Sequence, residues 1–473
     1  MGRFKTLASN TLIFAICNFT SKLLVFFMLP FYTAVLSKEE FGTADLLVTI
    51  IGLLSPVLSL SIAQGVMRFA LDKSKDTNQV FSIGLTIITL GSIVLIAASP
   101  ILMQFDIIRK YLVIFLLLFI TQNYQTLFSL FARGINKVKI VGVAGVVSSF
   151  VVVASNVLLL FVFHLGVKGY LWSMIISHIS AILILVLGGK MMSYLTRRKE
   201  SSLAKDMAYY SIPLIPNSLS WWINHSANRL ILNHYCGVAD VGLYSAASKM
   251  PSIIDTFRGI FVQAWQLSTI NEFDKKDSAS FFETMYRGYN TLIIFSCSIL
   301  IVFSQLLATV LYSADFYNAW LFTPFLLVGV VFGSLVAYYS PFYLAHKKTK
   351  ILFFSTFAGA AITIVFNIIL IPRIGIMGAA ITSVLSNLMI YMWLHIDSKK
   401  YMEYNYNSLR YYLSYFILVS QAIIVSLFGK NPVGLLSVVC LLILSCINYT
   451  DIKFFVVMIK SFYLSKKQKN KRY

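Results

Sequence analysis

The stretch KVKIVGVAGVVSSFVVVASNVLLLFVFHLGVKG at 137–169 has a counterpart at 348–378, which reads KTKILFFSTFAGAAITIVFNIILIPRIGIMG. Each copy starts with two lysines, continues as an apolar segment with one asparagine, and ends at a Gly-x-x-Gly turn. Another apolar segment follows each turn, up to residues 188 and 397. The order of these features is repeated although few identities remain. Because many transporters build a central pathway from repeated helix sets, this repeat predicts a membrane transporter.

The composition indicates an integral membrane protein. Apolar residues make up 58% of the 473 residues, charged residues make up 12%, and the mean hydropathy is +0.79. Ordinary soluble domains contain about 25% charged residues. Apolar runs of about 20 residues, the length that crosses a bilayer as a helix, follow one another along most of the chain. We therefore predict an all-α integral membrane protein.

The apolar runs predict about fourteen transmembrane helices. They are 10–36, 41–71, 79–103, 110–133, 138–164, 168–194, 206–235, 239–271, 281–312, 316–345, 350–371, 375–397, 408–429 and 431–449.

The distribution of lysine and arginine predicts the orientation. Among the loops that alternate from the N-terminus, one set together with the C-terminal tail holds 27 of the 39 cations, whereas the opposite set holds six. Cytoplasmic loops carry the excess of Lys and Arg, so both termini are expected in the cytoplasm. The formal charge of +21 then reflects topology and contact with anionic lipids, and it does not require a nucleic-acid partner.

Six cations fall within the predicted helices: Lys22, Arg68, Arg229, Lys249, Arg258 and Arg287. A cation at membrane depth normally faces a wet cavity or a partner. Arg68 and Arg287 lie near cytoplasmic helix ends, where they can instead reach the headgroups. Arg258 follows Asp255 by three residues on the same helix face, which predicts an ion pair. Lys22 lies near mid-helix and has no acid nearby in the sequence.

The polar side chains of the predicted helices indicate a hydrated path. Acids are scarce there, with Asp45 and Asp255 the clearest, so the lumen is expected to be net positive and suited to an anionic cargo. A polar stripe follows helical spacing in 206–235, and its members are Asn217, Trp221, Asn224 and Asn228. Pro213 and Pro216 predict a kink at the start of that helix.

Further polar groups occur at the centre of two other predicted helices. Gln122 and Gln125 belong to a polar insertion in 110–133, and Gln263, Trp265 and Gln266 offer hydrogen-bonding and stacking groups in 239–271. Hydrogen bonding between helices is the alternative explanation for any one of these residues, because such contacts are common in membrane bundles.

The chain resembles the polysaccharide-export (Wzx-type) flippases of the multidrug/oligosaccharidyl-lipid/polysaccharide (MOP) exporter superfamily over nearly its whole length. The resemblance rests on the order of several short motifs: Thr20-Ser21-Lys22 before Leu29-Pro30, Phe41-Gly42, Gln64 to Phe69, Ala132-Arg133-Gly134, Asn228-Arg229-Leu230, Val241 to Tyr244 before Lys249, and the two Asn…GxxG blocks. Similar proteins often have an acid where this chain has Asn228. The sequence therefore leaves open whether Arg229 forms an ion pair.

The resemblance implies a MATE-like fold with two pseudo-symmetric six-helix lobes, at 1–200 and 201–397. Residues 398–473 would add two helices and a basic cytoplasmic tail. It also implies a flippase, not an enzyme, in the bacterial inner membrane that carries undecaprenyl-diphosphate-linked oligosaccharide to the outer leaflet by alternating access, for O-antigen or capsule assembly. A polysaccharide polymerase and chain-length machinery would be partners, and Na⁺ or H⁺ coupling stays open.

On this interpretation the diphosphate binds a cationic lumen, and polar side chains contact the sugar. The cationic set is Lys22, Arg68, Arg229, Lys249 and Arg258. The lining set is Gln122, Gln125, Asn217, Trp221, Asn224, Asn228 and Asp255.

Three other functions are compatible with a chain of this composition. A lipid II flippase shares the fourteen helices and the cationic lumen. A cation-coupled multidrug exporter needs a membrane carboxylate as its cation site, whereas the first helix here offers Lys22. A membrane-embedded polymerase or ligase would be expected to carry a long outward loop, and every predicted outward loop is short. The five cysteines lack metal spacing and no nucleotide-binding motif occurs, so no cofactor is predicted.

We expect both termini and the 190–205 loop to be cytoplasmic, because the excess of positive charge lies on that side. In a cysteine-free variant, a single cysteine at residue 198 should react with an impermeant maleimide only after the membrane is broken. Strong labelling in intact cells, or in spheroplasts of a host with two membranes, would contradict this orientation.

Overall fold

A computed structural model describes residues 26–72, 74–197, 200–272, 278–346, 348–400, 408–428 and 433–453. These residues are almost entirely helical and form no β-strand, which confirms the predicted all-α class. The α-helices are α1 (Leu29–Val35), α2 (Lys38–Leu58), α3 (Ile62–Ala70), α4 (Thr77–Ala97), α5 (Ser99–Leu102), α6 (Asp106–Gly134), α7 (Val138–Asn156), α8 (Gly166–Gly189), α9 (Ser201–Ser211), α10 (Leu214–Cys236), α11 (Val238–Ala247), α12 (Lys249–Glu272), α13 (Ser278–Leu311), α14 (Thr323–Ala345), α15 (Thr349–Ser398), α16 (Ser408–Phe428) and α17 (Val433–Ile447).

Nine helices within the described ranges are long and apolar enough to cross a bilayer. They run from α2 to α16 and leave out the stretch 201–272, which holds α9 to α12. That stretch contains the polar stripe and is divided into four helices. Each of these helices is too short or too polar to be recognised by length and composition. The exact count of fourteen is not confirmed, although the multi-pass membrane architecture is.

The 50-residue helix α15 is two membrane passes joined by a turn. Its backbone leaves the helical region at Ile374 and Gly375, and Gly375 has φ +56°. A Cβ on Gly378 would lie 2.7 Å from the carbonyl carbon of Leu370. In a straight helix these residues would be about 12 Å apart along the axis. The chain therefore reverses here, as the predicted helices 350–371 and 375–397 require.

The turn between α7 and α8 has the same construction. Gly166 has φ +52°, and a Cβ on Gly169 would lie 3.0 Å from the carbonyl oxygen of Leu159. Glycine is suited to both positions, because one needs a left-handed backbone and the other needs a close approach of two chains. The two Gly-x-x-Gly motifs of the sequence repeat thus fold into two similar hairpins.

Matching hydrogen bonds join the helices of the two hairpins. Ser177 Oγ donates to the carbonyl oxygen of Ser148 at 2.8 Å, and Ser386 Oγ donates to that of Gly359 at 3.0 Å. The asparagines of the repeat, Asn156 and Asn367, are both fully buried. These pairs occupy equivalent places in the two copies, so the repeat that was read from sequence is also a repeat in structure. The division into lobes at 1–200 and 201–397 stays a prediction.

Several predicted helices are interrupted, and three of these interruptions lie beside the candidate polar residues. The segment 41–71 was expected to be continuous, and this was wrong, because Leu60 and Ser61 adopt left-handed φ values of +51° and +50° between α2 and α3. The segment 206–235 breaks before Pro213, which confirms the kink that its prolines predicted. The segment 239–271 breaks at Ser248.

The chain forms two compact units. The first contains 1–246 and 312–316, and the second contains 247–311 and 317–473. In the first unit, one core cluster joins α2, α6 and α8 through buried residues such as Leu47, Phe115 and Leu171. A second core cluster joins α3, α4 and α6 through residues such as Val66 and Phe81.

In the second unit, polar contacts attach the last two helices to α13. Asp451, which is 2% exposed, accepts hydrogen bonds from Arg287 at 2.6 Å, from Tyr411 at 3.0 Å and from Arg410. Tyr415 accepts a hydrogen bond from Asn290 at 2.8 Å. Arg287, for which the sequence left headgroup contact open, therefore pairs with a buried acid, although its own side chain is 37% exposed. This pair fixes the register of these helices, because breaking it would leave the buried carboxylate without one of its partners.

Candidate functional site

The predicted cationic residues lie in different surroundings. Lys22 falls outside the described residues. Arg68 is exposed near the end of α3, and Lys249 is half-buried at the start of α12. Arg229 and Arg258, in contrast, each form an ion pair with an acid.

Arg229 on α10 pairs with Asp45 on α2 through its Nε. Ser245 Oγ donates to the same carboxylate oxygen at 2.5 Å. The Arg229 guanidinium lies over the ring of Tyr244, 5.5 Å from the ring centroid, so it also makes a cation–π contact. This answers the question that Asn228 left open in the sequence, because the counter-ion comes from another helix. The charge of Arg229 is balanced in this cluster.

The ion pair belongs to a line of close contacts along α2. A Cβ on Gly42 would lie 2.0 Å from the carbonyl oxygen of Val238, and a Cβ on Gly242 would lie 2.0 Å from that of Lys38. Gly42 thus faces the residue four positions before Gly242, and Gly242 faces the residue four positions before Gly42. The helices α2 and α11 therefore pack reciprocally. Only glycine permits this approach without moving the backbone.

Further along α2, the contact continues onto α10. Trp222 Nε1 donates to the carbonyl oxygen of Thr49 at 3.0 Å, and the same indole lies 3.3 Å from the position of a Cβ on Gly52. Together with Gly42 and Asp45, these residues form one stripe of α2. The stripe extends over about 15 Å of helix, from Gly42 to Gly52.

The predicted stripe of α10 is divided in the structure. Asn224 and Asn228 are 4% and 1% exposed, and Asn228 Nδ2 donates to Tyr244 OH at 3.0 Å. Hydrogen bonding between helices, the alternative left open from the sequence, describes Asn228. Asn217 is half-buried, whereas Trp221 is 43% exposed. The accessible part of the stripe is therefore its end toward the N-terminus of α10.

The polar insertion of α6 is also divided. Thr121 lies 3.3 Å from His178 Nδ1 on α8, and Asn123 Nδ2 donates to Ser55 Oγ on α2 at 3.1 Å. These contacts hold helices together. Gln122 and Gln125 are half-buried, and their side chains make no hydrogen bond with the described part of the chain. The two glutamines therefore remain suitable for a ligand.

In the second unit, Arg258 pairs with Asp255 at 3.0 Å, which confirms the ion pair predicted from their spacing. The Arg258 guanidinium lies 3.0 Å from the position of a Cβ on Gly333, next to the side chain of Asn387. Trp265, which was expected to offer hydrogen-bonding and stacking groups, uses them within the protein. It is 3% exposed, its ring stacks on Tyr338 with centroids 5.0 Å apart, and its Nε1 donates to the carbonyl oxygen of Tyr338 at 2.9 Å.

The sequence pattern missed three residues of the Arg229 cluster and its extension. Tyr244 and Ser245 follow the Val241-Gly242 motif, and Trp222 neighbours the predicted Trp221. No repeat at helical spacing in the sequence marks these three residues, because each contacts a helix that lies far away along the chain. Within the described residues, no group of three or more His, Cys, Asp or Glu side chains can hold a metal ion.

Comparisons with known proteins identify the family and the fold. The profile of a family described as "Polysaccharide biosynthesis protein" matches residues 7–265, more than half of the chain. No curated protein matches the chain by sequence.

Solved structures of transporters have the same fold. The lipid II flippase MurJ, in an inward closed conformation, matches with a TM-score of 0.70 at 14% identity, over 95% of this chain and 99% of that chain. An inward-facing multidrug resistance MATE transporter of the MOP superfamily matches with a TM-score of 0.63 at 11% identity, over 82% and 98%. The MATE transporter VcmN of Vibrio cholerae matches with a TM-score of 0.57 at 16% identity, over 88% and 100%. These matches confirm the predicted MATE-like fold.

We expect Asp45→Ala and Arg229→Ala each to destabilise the protein, because each leaves a buried charge without its counter-ion, which costs about 3–5 kcal/mol in buried pairs. The double variant should be less destabilised than the sum of the two. The measurement is the thermal unfolding of the purified protein in detergent.

The matched control is the exposed pair of Asp106 and Arg109, which lie 2.8 Å apart. Asp106→Ala should change stability by at most about 1 kcal/mol. Single variants at 45 and 229 that unfold like the wild type would show that this pair is not structural.

Proposed function

Because the chain belongs to the polysaccharide biosynthesis protein family, we propose that it is a flippase for undecaprenyl-diphosphate-linked oligosaccharide. It moves the repeat unit from the cytoplasmic to the outer leaflet of a bacterial inner membrane, with both termini in the cytoplasm. The product would serve surface polysaccharide assembly, such as O-antigen or capsule, and a polymerase would consume it. The transporter fold of the structural neighbours supports a role in transport.

The observation that carries the proposal is the polar character of 201–272. This stretch lies among apolar membrane helices, yet it is not recognised as a span by length and composition. It contains Arg229, Lys249 and Arg258, and it exposes Trp221 at a polar helix face. Such a stretch is stable at membrane depth only beside water or partners, so it fits the wall of a hydrophilic path.

The cationic lumen depends on Lys22 in this proposal. Asp45 and Asp255 are the acids that the sequence offers as its partners, and each already pairs with an arginine. A lysine near the middle of the predicted helix 10–36 would supply a compact positive charge that offsets the desolvation of a diphosphate. Lys249 and Arg68 extend the positive potential along the path, and Gln122 and Gln125 face the sugar.

Lipid II is the second candidate cargo. The match to MurJ covers 95% of this chain, so it extends into 398–473, which a twelve-helix lobe pair does not need. Lipid II shares the undecaprenyl diphosphate and differs in its sugar, so the two cargoes separate in a transport assay that offers both.

We expect the purified protein in liposomes to flip undecaprenyl-diphosphate-linked oligosaccharide, and Lys22→Ala to abolish flipping because it removes the cation that binds the diphosphate. Lys22→Arg should keep part of the activity. The measurement is the fraction of lipid-linked sugar that becomes accessible to an enzyme outside the liposome. The matched control is Lys168→Ala, an exposed cation in the first turn of α8, on the predicted outer side.

Normal flipping by a well-expressed Lys22→Ala protein would refute the cationic site. If the wild type flips lipid II but not the oligosaccharide-linked lipid, lipid II becomes the proposed cargo. Loss of the Lys22→Ala protein itself would assign Lys22 to a structural ion pair.

In the proposed transport cycle, the contact of Thr33 with the segment 312–316 opens. Ser313 Oγ donates to the carbonyl oxygen of Thr33 at 2.5 Å, and Ser313 N donates to Thr33 Oγ1 at 3.2 Å. These residues belong to different predicted lobes and lie, on the predicted orientation, at the outer side. We therefore expect this contact to be broken when the outer side opens.

We expect the cysteine pair Thr33→Cys and Ser313→Cys, in a cysteine-free background, to stop flipping when oxidised and to recover on reduction. The matched control is the pair Ser82→Cys and Thr196→Cys, whose hydrogen bond of 2.9 Å lies within one predicted lobe. Unchanged flipping by the fully cross-linked 33–313 protein would contradict an opening at this contact.

A further inference from the structure

Trp221 differs from the other tryptophans in its surroundings. Trp222 and Trp265 donate their Nε1 to backbone carbonyls and are parts of helix contacts. Trp172 and Trp393 are 36% and 40% exposed and lie near the ends of the predicted membrane segments 168–194 and 375–397, where tryptophans of membrane interfaces are typical. Trp221 is 43% exposed but lies near the middle of the predicted segment 206–235, which α9 and α10 share. Its exposure therefore needs another explanation.

The predicted topology places Trp221 away from the membrane interface. It lies fifteen positions before Cys236, the last residue of α10, which is about 22 Å of helix. The break at Pro213 and the helix α9 continue the chain on the other side. If the predicted segment 206–235 crosses a hydrocarbon core about 30 Å thick, the indole lies inside that core. Ser218 and His225 are on the same face of α10, and such polar neighbours favour a wet cavity over lipid.

Trp221 stacks on His225 in a fixed arrangement. Their ring centroids are 4.7 Å apart, and the ring planes differ by 16°. His225 Nδ1 donates to the carbonyl oxygen of Trp221 at 2.9 Å, because a carbonyl can only accept. The carbonyl oxygen of His225 accepts from Arg229 Nη1 at 3.0 Å, and Arg229 is held by Asp45. The ring pair is thus preorganised by the ion pair.

In this stacked pair, His225 covers one face of the Trp221 indole, and the other face is available for a ligand. Within the described ranges, His225 is the ring that packs on Trp221. The face of an indole carries partial negative charge, and it attracts the partially positive C–H bonds on the flat face of a pyranose. A fixed ring also loses little conformational entropy when a ligand binds.

We propose that Trp221, supported by His225, is a stacking platform for a pyranose ring of the transported oligosaccharide. The inference rests on the proposed function and adds a sugar subsite to it, separate from the diphosphate. His225 and Arg229 are positioning residues in this arrangement, because they orient the indole of Trp221 and do not themselves contact the sugar. The platform discriminates between a lipid that carries a sugar and one that does not.

Binding to the full-length protein in nanodiscs tests this proposal with two probes. One is undecaprenyl diphosphate, and the other is the undecaprenyl-diphosphate-linked oligosaccharide extracted from cells that lack the gene. The wild type should bind the oligosaccharide-linked lipid more tightly. Trp221→Leu should weaken that binding by roughly tenfold and leave the binding of undecaprenyl diphosphate unchanged. Trp221→Phe should retain most of the difference in affinity between the two probes. Trp393→Leu, the matched control, should retain all of this difference.

A second measurement leaves Trp221 nearly intact. In protein labelled with 5-fluorotryptophan, the fluorine resonance that disappears in Trp221→Phe belongs to this residue. It should shift with the oligosaccharide-linked lipid and not with undecaprenyl diphosphate.

The outcomes separate the subsite from the proposed function. Equal binding of both probes by the wild type, or a Trp221→Leu protein with the wild-type difference, would overturn the platform and leave the flippase proposal standing. An unshifted fluorine resonance with bound oligosaccharide-linked lipid would do the same. A wild type that binds neither probe would overturn the proposed function itself, and the platform with it.

Discussion

A charge inside a bilayer needs a partner or water, and this constraint organises the described structure. Three arginines predicted within helices have acids at hydrogen-bond distance. Arg229 pairs with Asp45 and Arg258 with Asp255, while Arg287 shares an acid with a second arginine. Each pair joins or stabilises helices where a lone cation would cost several kcal/mol. The pairs therefore act first as structural contacts.

The same constraint applies to the backbone. Interrupted helices leave N–H and C=O groups without intrahelical partners, which is tolerated at depth only where protein or water satisfies them. The interruptions at 59–61, at Pro213 and at Ser248 flank the segments that carry the Arg229 cluster and the Trp221–His225 pair. A path wall that must bend or rearrange is suited to such breaks. The long uninterrupted spans, such as α4 and α8, belong to the apolar scaffold.

Glycine determines where helices can approach each other most closely. The reciprocal contact of Gly42 and Gly242 brings α2 and α11 together and places Asp45 within reach of Arg229. The two Gly-x-x-Gly turns reverse the chain in the hairpins of the repeat. Membrane helices lack a strong hydrophobic driving force toward each other, so close packing at small residues and polar contacts must supply it.

The sequence by itself determined the membrane class, the helical fold, the repeat with its glycine turns, the kink before Pro213 and the local pair of Asp255 with Arg258. These features depend on composition, on helical spacing or on residues close along the chain. The tertiary structure decided which polar groups are accessible. Asn224, Asn228 and Trp265 carry the same signal as Trp221 in the sequence, yet they are buried and it is exposed. Helical spacing places a residue on a face, but only the packing of distant helices determines whether that face meets protein or water.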